Sequence, residues 1–144
     1  MEIYIVRHGD ALEGEPDELR ELSEKGKKQA KKVGKILKNL DAEISEIFSS
    51  PLTRAIQTAE IIAKEINFNG EIKITELLNP SSNPDEILNH LRIMNKDKIL
   101  LVGHQPFLGN FINNFGNFEV EMKKGSLCKI EIEGGKFKKA EQII

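Results

Sequence analysis

The chain has 144 residues, 39% of them apolar and 31% charged, which predicts one soluble globular domain over residues 1–144 and excludes a disordered chain. Its formal net charge of −2 gives no indication of binding to nucleic acid or to an anionic membrane. With one cysteine, no signal-peptide pattern and no apolar run long enough to cross a membrane, we expect a cytoplasmic protein without intrachain disulfides.

The first half of the chain is predicted to form two strands, each followed by a helix. Residues 2–6 form the first strand, and residues 13–21 form an acidic surface loop. Ser23 caps the first helix. The apolar stripe of that helix comprises Gly26, Ala30, Val33, Leu37 and Leu40. Residues 44–48 form the second strand, after which Ser50 caps a helix with Pro51 in its first turn. The stripe of this second helix comprises Leu52, Ala55, Ile56, Ala59, Ile62, Ala63 and Ile66.

The second half continues the alternation and closes with a hairpin. We predict a strand at residues 72–75, a helix at 84–94, a buried strand of continuous aliphatic residues at 99–102 and a helix at 106–115. From Ser126 onwards, alternating residues around two adjacent glycines predict an antiparallel hairpin. The order predicts an α/β fold: a three-layer α/β/α sandwich with a mostly parallel sheet, helices on both faces and a C-terminal antiparallel hairpin.

Three of the predicted strands end in polar motifs. Arg7 and His8 end the first strand, Arg54 lies in the first turn of the helix after the second, and His104 follows the fourth. The carboxyl ends of parallel strands share one edge of a sheet, so these four side chains are expected to meet. Two guanidinium groups, together with nearby helix N-termini, suit a dianionic phosphoryl group.

A histidine beside a phosphoryl group can act as its nucleophile, because a phosphohistidine intermediate divides one difficult step into two. Neighbouring arginines lower the pKa of such a histidine and keep it neutral near pH 7. The second histidine can donate a hydrogen bond to a phosphoryl oxygen in the transition state. Gly9 is expected to allow a tight turn and a close approach of the phosphate to the backbone.

Four segments, in order, carry a family resemblance. They are "RHG" after the first strand, "LSEKGKKQA" at residues 22–30, "SSPLTRAIQTA" after the second strand and "VGHQP" after the fourth. Together they resemble the histidine phosphatase superfamily, which has the phosphoglycerate-mutase-like fold. The compact length, "RHGDA" and "ELLNP" are most similar to the SixA-type phosphohistidine phosphatases. The resemblance implies that His8 accepts the phosphate and that Arg7, Arg54 and His104 complete the phosphate pocket.

The same resemblance bears on the leaving group and on the shape of the site. Glu76, in "ITELLNP", is the candidate general acid, and Asp10 is a second candidate because it is close to His8 in sequence. A phosphohistidine substrate leaves as an imidazole and needs less help from an acid. Many relatives carry a long insertion that covers the site, whereas this chain has only short connections. We therefore expect an open site, which suits a phosphate presented on a protein surface.

The resulting hypothesis is a metal-independent hydrolase without a cofactor, which acts through a phosphohistidine at His8 and dephosphorylates phosphohistidine on a partner protein. Two alternatives stay open: a small-molecule phosphomonoesterase and a non-catalytic phosphate-binding module. A metal site at His8 and His104 is disfavoured, because the adjacent arginines repel a cation and no His-rich spacing is present. We predict no nucleic-acid or membrane partner, and the sequence does not indicate an oligomeric state.

The remaining polar residues have structural explanations. A run of lysines is predicted to form a solvated helix face, with a docking surface for an acidic partner as the alternative. These lysines are Lys25, Lys27, Lys28, Lys31, Lys32, Lys35 and Lys38. Cys128 is expected to be a small buried hydrophobic residue and His90 an exposed histidine. Ser49 and Ser50 are expected to be caps whose hydroxyl or N–H group can also contact the phosphate.

Overall fold

A six-stranded sheet with helices on both faces organises the computed structural model, which describes residues 1–116, 118 and 120–144. The helices are α1 (Glu24–Asn39), α2 (Thr53–Glu65), α3 (Pro84–Met94) and α4 (Phe107–Asn113). The strands are β1 (Glu2–Arg7), β2 (Glu46–Ser49), β3 (Ile72–Ile74), β4 (Lys98–Gly103), β5 (Leu127–Glu133) and β6 (Lys136–Gln142). Single turns of 3₁₀ helix lie at Asp17–Leu19 and Glu76–Leu78.

The strand order is β3-β2-β4-β1-β5-β6. The first four strands are parallel, and β5 and β6 are antiparallel to their neighbours. Strands β1 and β4 pair from Glu2 opposite Lys98 to Arg7 opposite Gly103, so their carboxyl ends lie side by side. The predicted α/β sandwich with a mostly parallel sheet and a closing hairpin is confirmed.

Successive residues of the central strands face opposite sides of the sheet, as the pleat of a strand requires. In β1, Ile3 and Ile5 pack in a cluster with residues of α3 and α4, whereas Tyr4 and Val6 pack in a cluster with residues of α1 and α2. The β4 segment of residues 99–102 has no exposed side chain, because helices cover both faces of this central strand. The two clusters hold the carboxyl ends of β1 and β4 at fixed positions.

The predicted ends of α1 and α2 agree with the structure at some positions and differ at others. Ser23 caps α1 as expected, since its side chain accepts a hydrogen bond from the backbone N–H of Gly26. The predicted cap at Ser50 is wrong, because α2 begins at Thr53 and Leu52 occupies the N-cap position. Leu40 does not belong to the buried stripe of α1; it lies beyond the last helical residue and is 52% exposed.

The C-terminal half contains further small differences. Helix α4 ends at Asn113, earlier than predicted, with Pro106 at its N-cap position. Cys128 is fully buried and His90 is exposed, both as expected. Within the described residues, no helix combines the length and the apolar character needed to cross a bilayer.

Candidate active site

A pocket of about 290 Å³ opens where the carboxyl ends of β1 and β4 meet the start of α2. Its lining residues are Arg7, His8, Ala11, Arg20, Arg54, Pro80, His104, Gln105 and Lys124. The structure thus brings together the four side chains that were predicted to meet. The ring centroids of His8 and His104 lie 4.9 Å apart.

A larger cavity of about 500 Å³ lies at the opposite end of the molecule, beyond the C-termini of α1 and α2. Its charged lining residues are Lys38, Asp41 and Glu43, and it contains no histidine or arginine. This cavity therefore offers no cluster of cationic hydrogen-bond donors that could bind a dianion. Size alone therefore does not identify the site, and the chemistry of the lining favours the smaller pocket.

Hydrogen bonding determines the tautomer of His8. Its Nδ1 lies 2.7 Å from the carbonyl oxygen of Gly9. A carbonyl only accepts, so Nδ1 carries the hydrogen and the neutral ring keeps a lone pair on Nε2. Burial and the nearby positive charges of Arg54 and Arg7 lower the pKa of His8 to about 4, although the bond to Gly9 opposes that shift. His8 is therefore neutral near pH 7, with an unprotonated nitrogen in a side chain that lines the pocket.

His104 is held from one side only. Its Nε2 lies 2.6 Å from Oγ of Ser50, and its Nδ1 is buried without a hydrogen-bond partner among the described residues. Burial lowers the pKa of His104 to about 3, and the neighbouring His8 and Arg54 act in the same direction. When the Ser50 hydroxyl donates to Nε2, Nδ1 carries a hydrogen that an incoming oxygen can accept. Ser50 thus holds a histidine of the pocket.

The two predicted arginines are anchored differently. Arg7 donates from Nη1 to the carbonyl oxygen of Met122 at 3.2 Å, and its buried Nε has no partner among the described residues. Burial lowers the pKa of Arg7, and the group remains charged at neutral pH. Arg54 donates from Nη1 to the backbone oxygen of Asp17 at 3.0 Å and from Nη2 to its carboxylate at 3.3 Å. Asp17 therefore fixes the plane of the Arg54 guanidinium.

Two cations of the pocket were not predicted. Arg20 donates to the Asp17 carboxylate at 3.1 Å, so Asp17 bridges Arg20 and Arg54. Lys124 contacts the Asp10 carboxylate at 3.2 Å. With the two predicted arginines, the lining carries four cations against these two carboxylates, a net charge of +2 that matches a phosphoryl dianion. No local pattern indicates that Arg20 and Lys124 turn towards the pocket.

Gly9 is required by packing against α1. A Cβ at position 9 would lie 2.5 Å from the carbonyl oxygen of Gly26, and a Cβ at position 26 would clash with the backbone of Asp10, so both positions require glycine. The backbone N–H of Gly9 donates to Oγ1 of Thr58, whose hydroxyl donates to the carbonyl oxygen of Arg54. The His8 loop is thereby tied to both α1 and α2.

The two candidate acids are placed differently. Glu76 begins a 3₁₀ turn, is exposed and is not among the residues that line the pocket. Asp10 accepts hydrogen bonds from Ser23 and Lys124, and these bonds lower the pKa of its carboxyl. An ionised Asp10 that holds a cap and a lysine fits a structural role better than that of a proton donor.

The donor set of the pocket does not suit a metal ion. In residues 1–116, 118 and 120–144, no three His, Cys, Asp or Glu side chains converge in a way that could hold one. The lining itself contains cations that repel a metal.

Comparison with known proteins identifies related chains. Residues 3–80 match the model of the histidine phosphatase superfamily (branch 1). The phosphohistidine phosphatase SixA of Escherichia coli K12 is 27% identical over 116 residues, which cover 78% of this chain and 72% of SixA. A solved SixA complex with tungstate has a TM-score of 0.90 at 22% identity, and the superposition covers 99% of this chain and 97% of that one.

A second group of relatives is much longer than this chain. The mitochondrial serine/threonine-protein phosphatase Pgam5 of Drosophila ananassae is 41% identical over 70 residues, which is 48% of this chain. The matched segment spans only 24% of the Pgam5 chain. The similarity to Pgam5 thus covers about half of this chain, whereas the similarity to SixA extends over most of both chains.

Proposed function

This chain belongs to the histidine phosphatase superfamily, and on that premise we propose that it hydrolyses phosphohistidine on a partner protein, with His8 as the nucleophile. One observation carries the proposal: the pocket combines a neutral histidine, whose Nε2 is unprotonated, with four cations and no lining carboxylic acid. Such a site favours attack on a phosphoryl group whose leaving group does not depend on a strong acid.

In the first step, Nε2 of His8 attacks phosphorus while the bond from phosphorus to the substrate nitrogen breaks. The leaving imidazole keeps the electron pair of that bond and takes a proton from solvent. In the second step, water attacks phosphorus, the bond to Nε2 breaks and its electron pair returns to His8. Inorganic phosphate and one proton are released. The depressed pKa of His8 supports this cycle, because the free enzyme has the required lone pair at neutral pH.

We assign the other three residues to stabilising charge. Arg7 and Arg54 bind the equatorial phosphoryl oxygens, and one of these oxygens accepts a hydrogen bond from the buried Nε of Arg7, which has no partner among the described residues. His104 donates from Nδ1 to a phosphoryl oxygen while Ser50 holds its Nε2. Both buried donors then hold phosphoryl oxygens, and their hydrogen bonds accelerate the reaction to the extent that they strengthen as charge shifts in the transition state.

A second candidate function is the hydrolysis of phosphate esters, which matches the activity named for Pgam5. An alkoxide leaving group needs a proton donor. Neither pocket histidine suits this role, since their pKa values are lowered to about 4 and about 3. Glu76 is our proposed acid for esters. A Glu76→Gln variant that loses ester hydrolysis and retains phosphohistidine hydrolysis would support both assignments, whereas unchanged ester turnover would contradict the role of Glu76.

The test of the proposal is to trap the phosphoenzyme. A phosphohistidine-bearing protein labelled with ³²P is mixed with the enzyme in EDTA, and the reaction is quenched within the first turnover. We expect acid-labile, alkali-stable label on the wild-type chain and none on His8→Ala. His90→Ala is the matched control, because His90 is exposed and does not line the pocket, and it should label like wild type.

Each other result contradicts part of the proposal. Label on His8→Ala would contradict the choice of nucleophile. Binding of the phosphoprotein without label or phosphate release would indicate a non-catalytic phosphate-binding module. Label that appears only with an ester substrate would favour the second candidate function.

A further inference from the structure

A continuous surface track leads away from the phosphate pocket towards α1 and α2. Arg20 lines the pocket and also the next depression, and Leu12 and Glu21 line that depression and the one after it. Glu24 and Lys27 then line both this third depression and a groove between the two helices. Since each depression shares residues with the next, the four lie side by side along one surface that an extended chain can follow.

The groove at the far end of the track has a mostly basic lining. It has a volume of about 480 Å³, and we call it the lysine groove. Its residues are Lys27, Lys28, Lys31, Lys64, Ile61, Glu24 and Glu65. Glu24 is paired with Lys27 at 3.3 Å, and with the carboxylates of Glu24 and Glu65 counted, the four lysines leave the lining with a net charge of +2. The lining therefore offers ammonium groups to an acidic ligand.

The charge of α1 is unusual for a solvated helix face. Residues 24–39 contain seven lysines and one glutamate, a net charge of +6 in a chain whose total is −2. Lys27 and Lys31, like Lys28 and Lys32, are four residues apart, and such pairs of like charges destabilise a helix. Among the described residues, Lys27 is the one lysine of α1 in an ion pair. A ligand with carboxylates would relieve this repulsion.

Exposed apolar side chains lie along the track between its basic ends. Leu12 is 53% exposed and Leu19 is 64% exposed, and both line the depression that follows the pocket. Glu13, Glu15 and Glu21 also line this middle part, so it does not attract carboxylates. The track thus has two basic ends and an apolar, acidic middle.

We propose that this track is the docking site for an acidic segment of the phosphoprotein substrate, with its carboxylates in the lysine groove while its phosphohistidine occupies the pocket. The inference rests on the proposed function and adds the chemistry of the partner. The pattern of charge also sets the order of residue types in the segment. The segment is apolar beside the phosphohistidine, where it meets Leu12 and Leu19, and acidic further along, where it meets Lys28 and Lys31.

Fluorescence anisotropy with two labelled peptides tests this proposal. Both contain a non-hydrolysable phosphohistidine analogue followed by the same apolar spacer of about four residues, roughly 13 Å of extended chain. One then continues with glutamates and the other with glutamines. We expect wild type to bind the glutamate peptide about tenfold more tightly than the glutamine peptide, because only its carboxylates reach the lysines.

Charge reversal locates the effect. Lys28→Glu/Lys31→Glu should weaken binding of the glutamate peptide about tenfold and leave the glutamine peptide unchanged. Lys35→Glu/Lys38→Glu is the matched control, since it makes the same change of charge on the same helix outside the groove. The control should bind both peptides like wild type. An equal loss of affinity for the glutamate peptide in both variants would contradict docking in the lysine groove and would indicate a general electrostatic attraction instead.

Two further binding results would overturn the docking proposal. Equal affinity of wild type for the two peptides overturns the proposal. If Lys28→Glu/Lys31→Glu binds both peptides more weakly, and Lys28→Gln/Lys31→Gln does the same, the substitutions have damaged the pocket. That result also overturns the proposal. The binding assay involves no turnover, so failure of docking is distinguishable from failure of the proposed function. The proposed hydrolytic activity is measured separately, as the release of phosphate from phosphoramidate. Lys28→Glu/Lys31→Glu should not change the rate of this release.

Discussion

Strands β1 and β4 are buried over most of their length, yet their middle and the residues at their carboxyl ends behave differently. Ile5 and Leu101 lie opposite each other in the parallel ladder, fully buried among apolar side chains. A short distance along the chain, His8 and His104 are only 6% and 2% exposed, and one buried ring nitrogen of His104 has no partner among the described residues. The side chains of both regions are buried to a similar degree. They differ in chemistry: the middle of the strands buries apolar side chains, whereas the carboxyl ends bury polar side chains, one of which has an unpaired nitrogen among the described residues.

The same two strands thus contribute both to the apolar core and to the candidate site. An unsatisfied buried donor costs stability, and the surrounding packing has to offset that cost. On the proposed function, the donors at the carboxyl ends stabilise the transition state, because they are oriented before the substrate binds. Substitutions in the apolar middle should therefore lower stability with little effect on chemistry, and substitutions at the polar ends should do the reverse.

The largest effect is expected for His8→Asn. Its amide can still donate to the Gly9 carbonyl but has no nucleophilic nitrogen, so kcat should fall by at least about 10⁴-fold while Tm changes by less than about 3 °C. Phosphate release from a phosphohistidine protein and thermal unfolding measure the two quantities. A variant that keeps more than about a hundredth of the activity would contradict the role of His8.

Ile5→Ala tests the other region of β1. Removing a fully buried side chain should lower the free energy of unfolding by about 3 kcal/mol, measured by urea titration. Well below Tm, kcat should stay within about threefold of wild type, since Ile5 does not line the pocket. Ile93→Ala is the control, because Ile93 is 84% exposed and its loss should change stability by less than about 0.5 kcal/mol. A large loss of kcat in Ile5→Ala would contradict the expectation that the apolar middle of β1 affects stability and not chemistry.

Arg54→Lys keeps the positive charge of the pocket and removes the planar fork that Asp17 orients. We expect kcat/KM to fall about 100-fold, because lysine cannot bind two phosphoryl oxygens in a fixed plane. Arg92→Lys, at an exposed arginine of α3, is the control and should be unchanged. Full activity in Arg54→Lys would indicate that charge alone is sufficient.

Ser50→Ala removes the hydroxyl that contacts Nε2 of His104. We expect kcat to fall about tenfold with little change in KM, because His104 loses its orientation towards the phosphoryl group. Ser49→Ala is the matched control: Ser49 is equally buried, but its hydroxyl donates to the Ser50 carbonyl and does not contact His104. If both variants lose the same activity, the effect arises from the β2 backbone.

The smallest expected effect is the change in the free energy of unfolding between pH 8 and 7, whereas this free energy should decline below about pH 6.5. The pKa values of His8 and His104 are lowered from 6.5 to about 4 and about 3, so below pH 6.5 the unfolded chain binds protons that the folded chain does not. Their contribution to stability is therefore fully present above pH 6.5 and is lost as the pH falls towards 3. Urea unfolding from pH 8 to 4 should show this decline, with a shallower slope in His8→Asn. Equal slopes would contradict the low pKa of His8.

Much of the fold follows from local patterns. Helix α3 begins and ends at its predicted residues, because Asn83 and Pro84 form a strong N-terminal signal and its apolar residues recur at helical spacing. The start of α2 was misplaced, since the serine and proline at positions 50 and 51 have the pattern of a cap but lie ahead of the helix. Ser50 instead contacts His104, a residue 54 positions away in the chain.

The sequence by itself determined that Arg7, His8, Arg54 and His104 share one edge of the sheet, because parallel strands align their carboxyl ends and motifs at those ends need no further information. Only the tertiary structure decided which other groups join them. Lys124 reaches Asp10 across 114 residues, and Asp17 bridges two arginines from a loop that has no regular pattern. Such contacts depend on how every strand and helix packs, and a local sequence pattern holds no record of that packing.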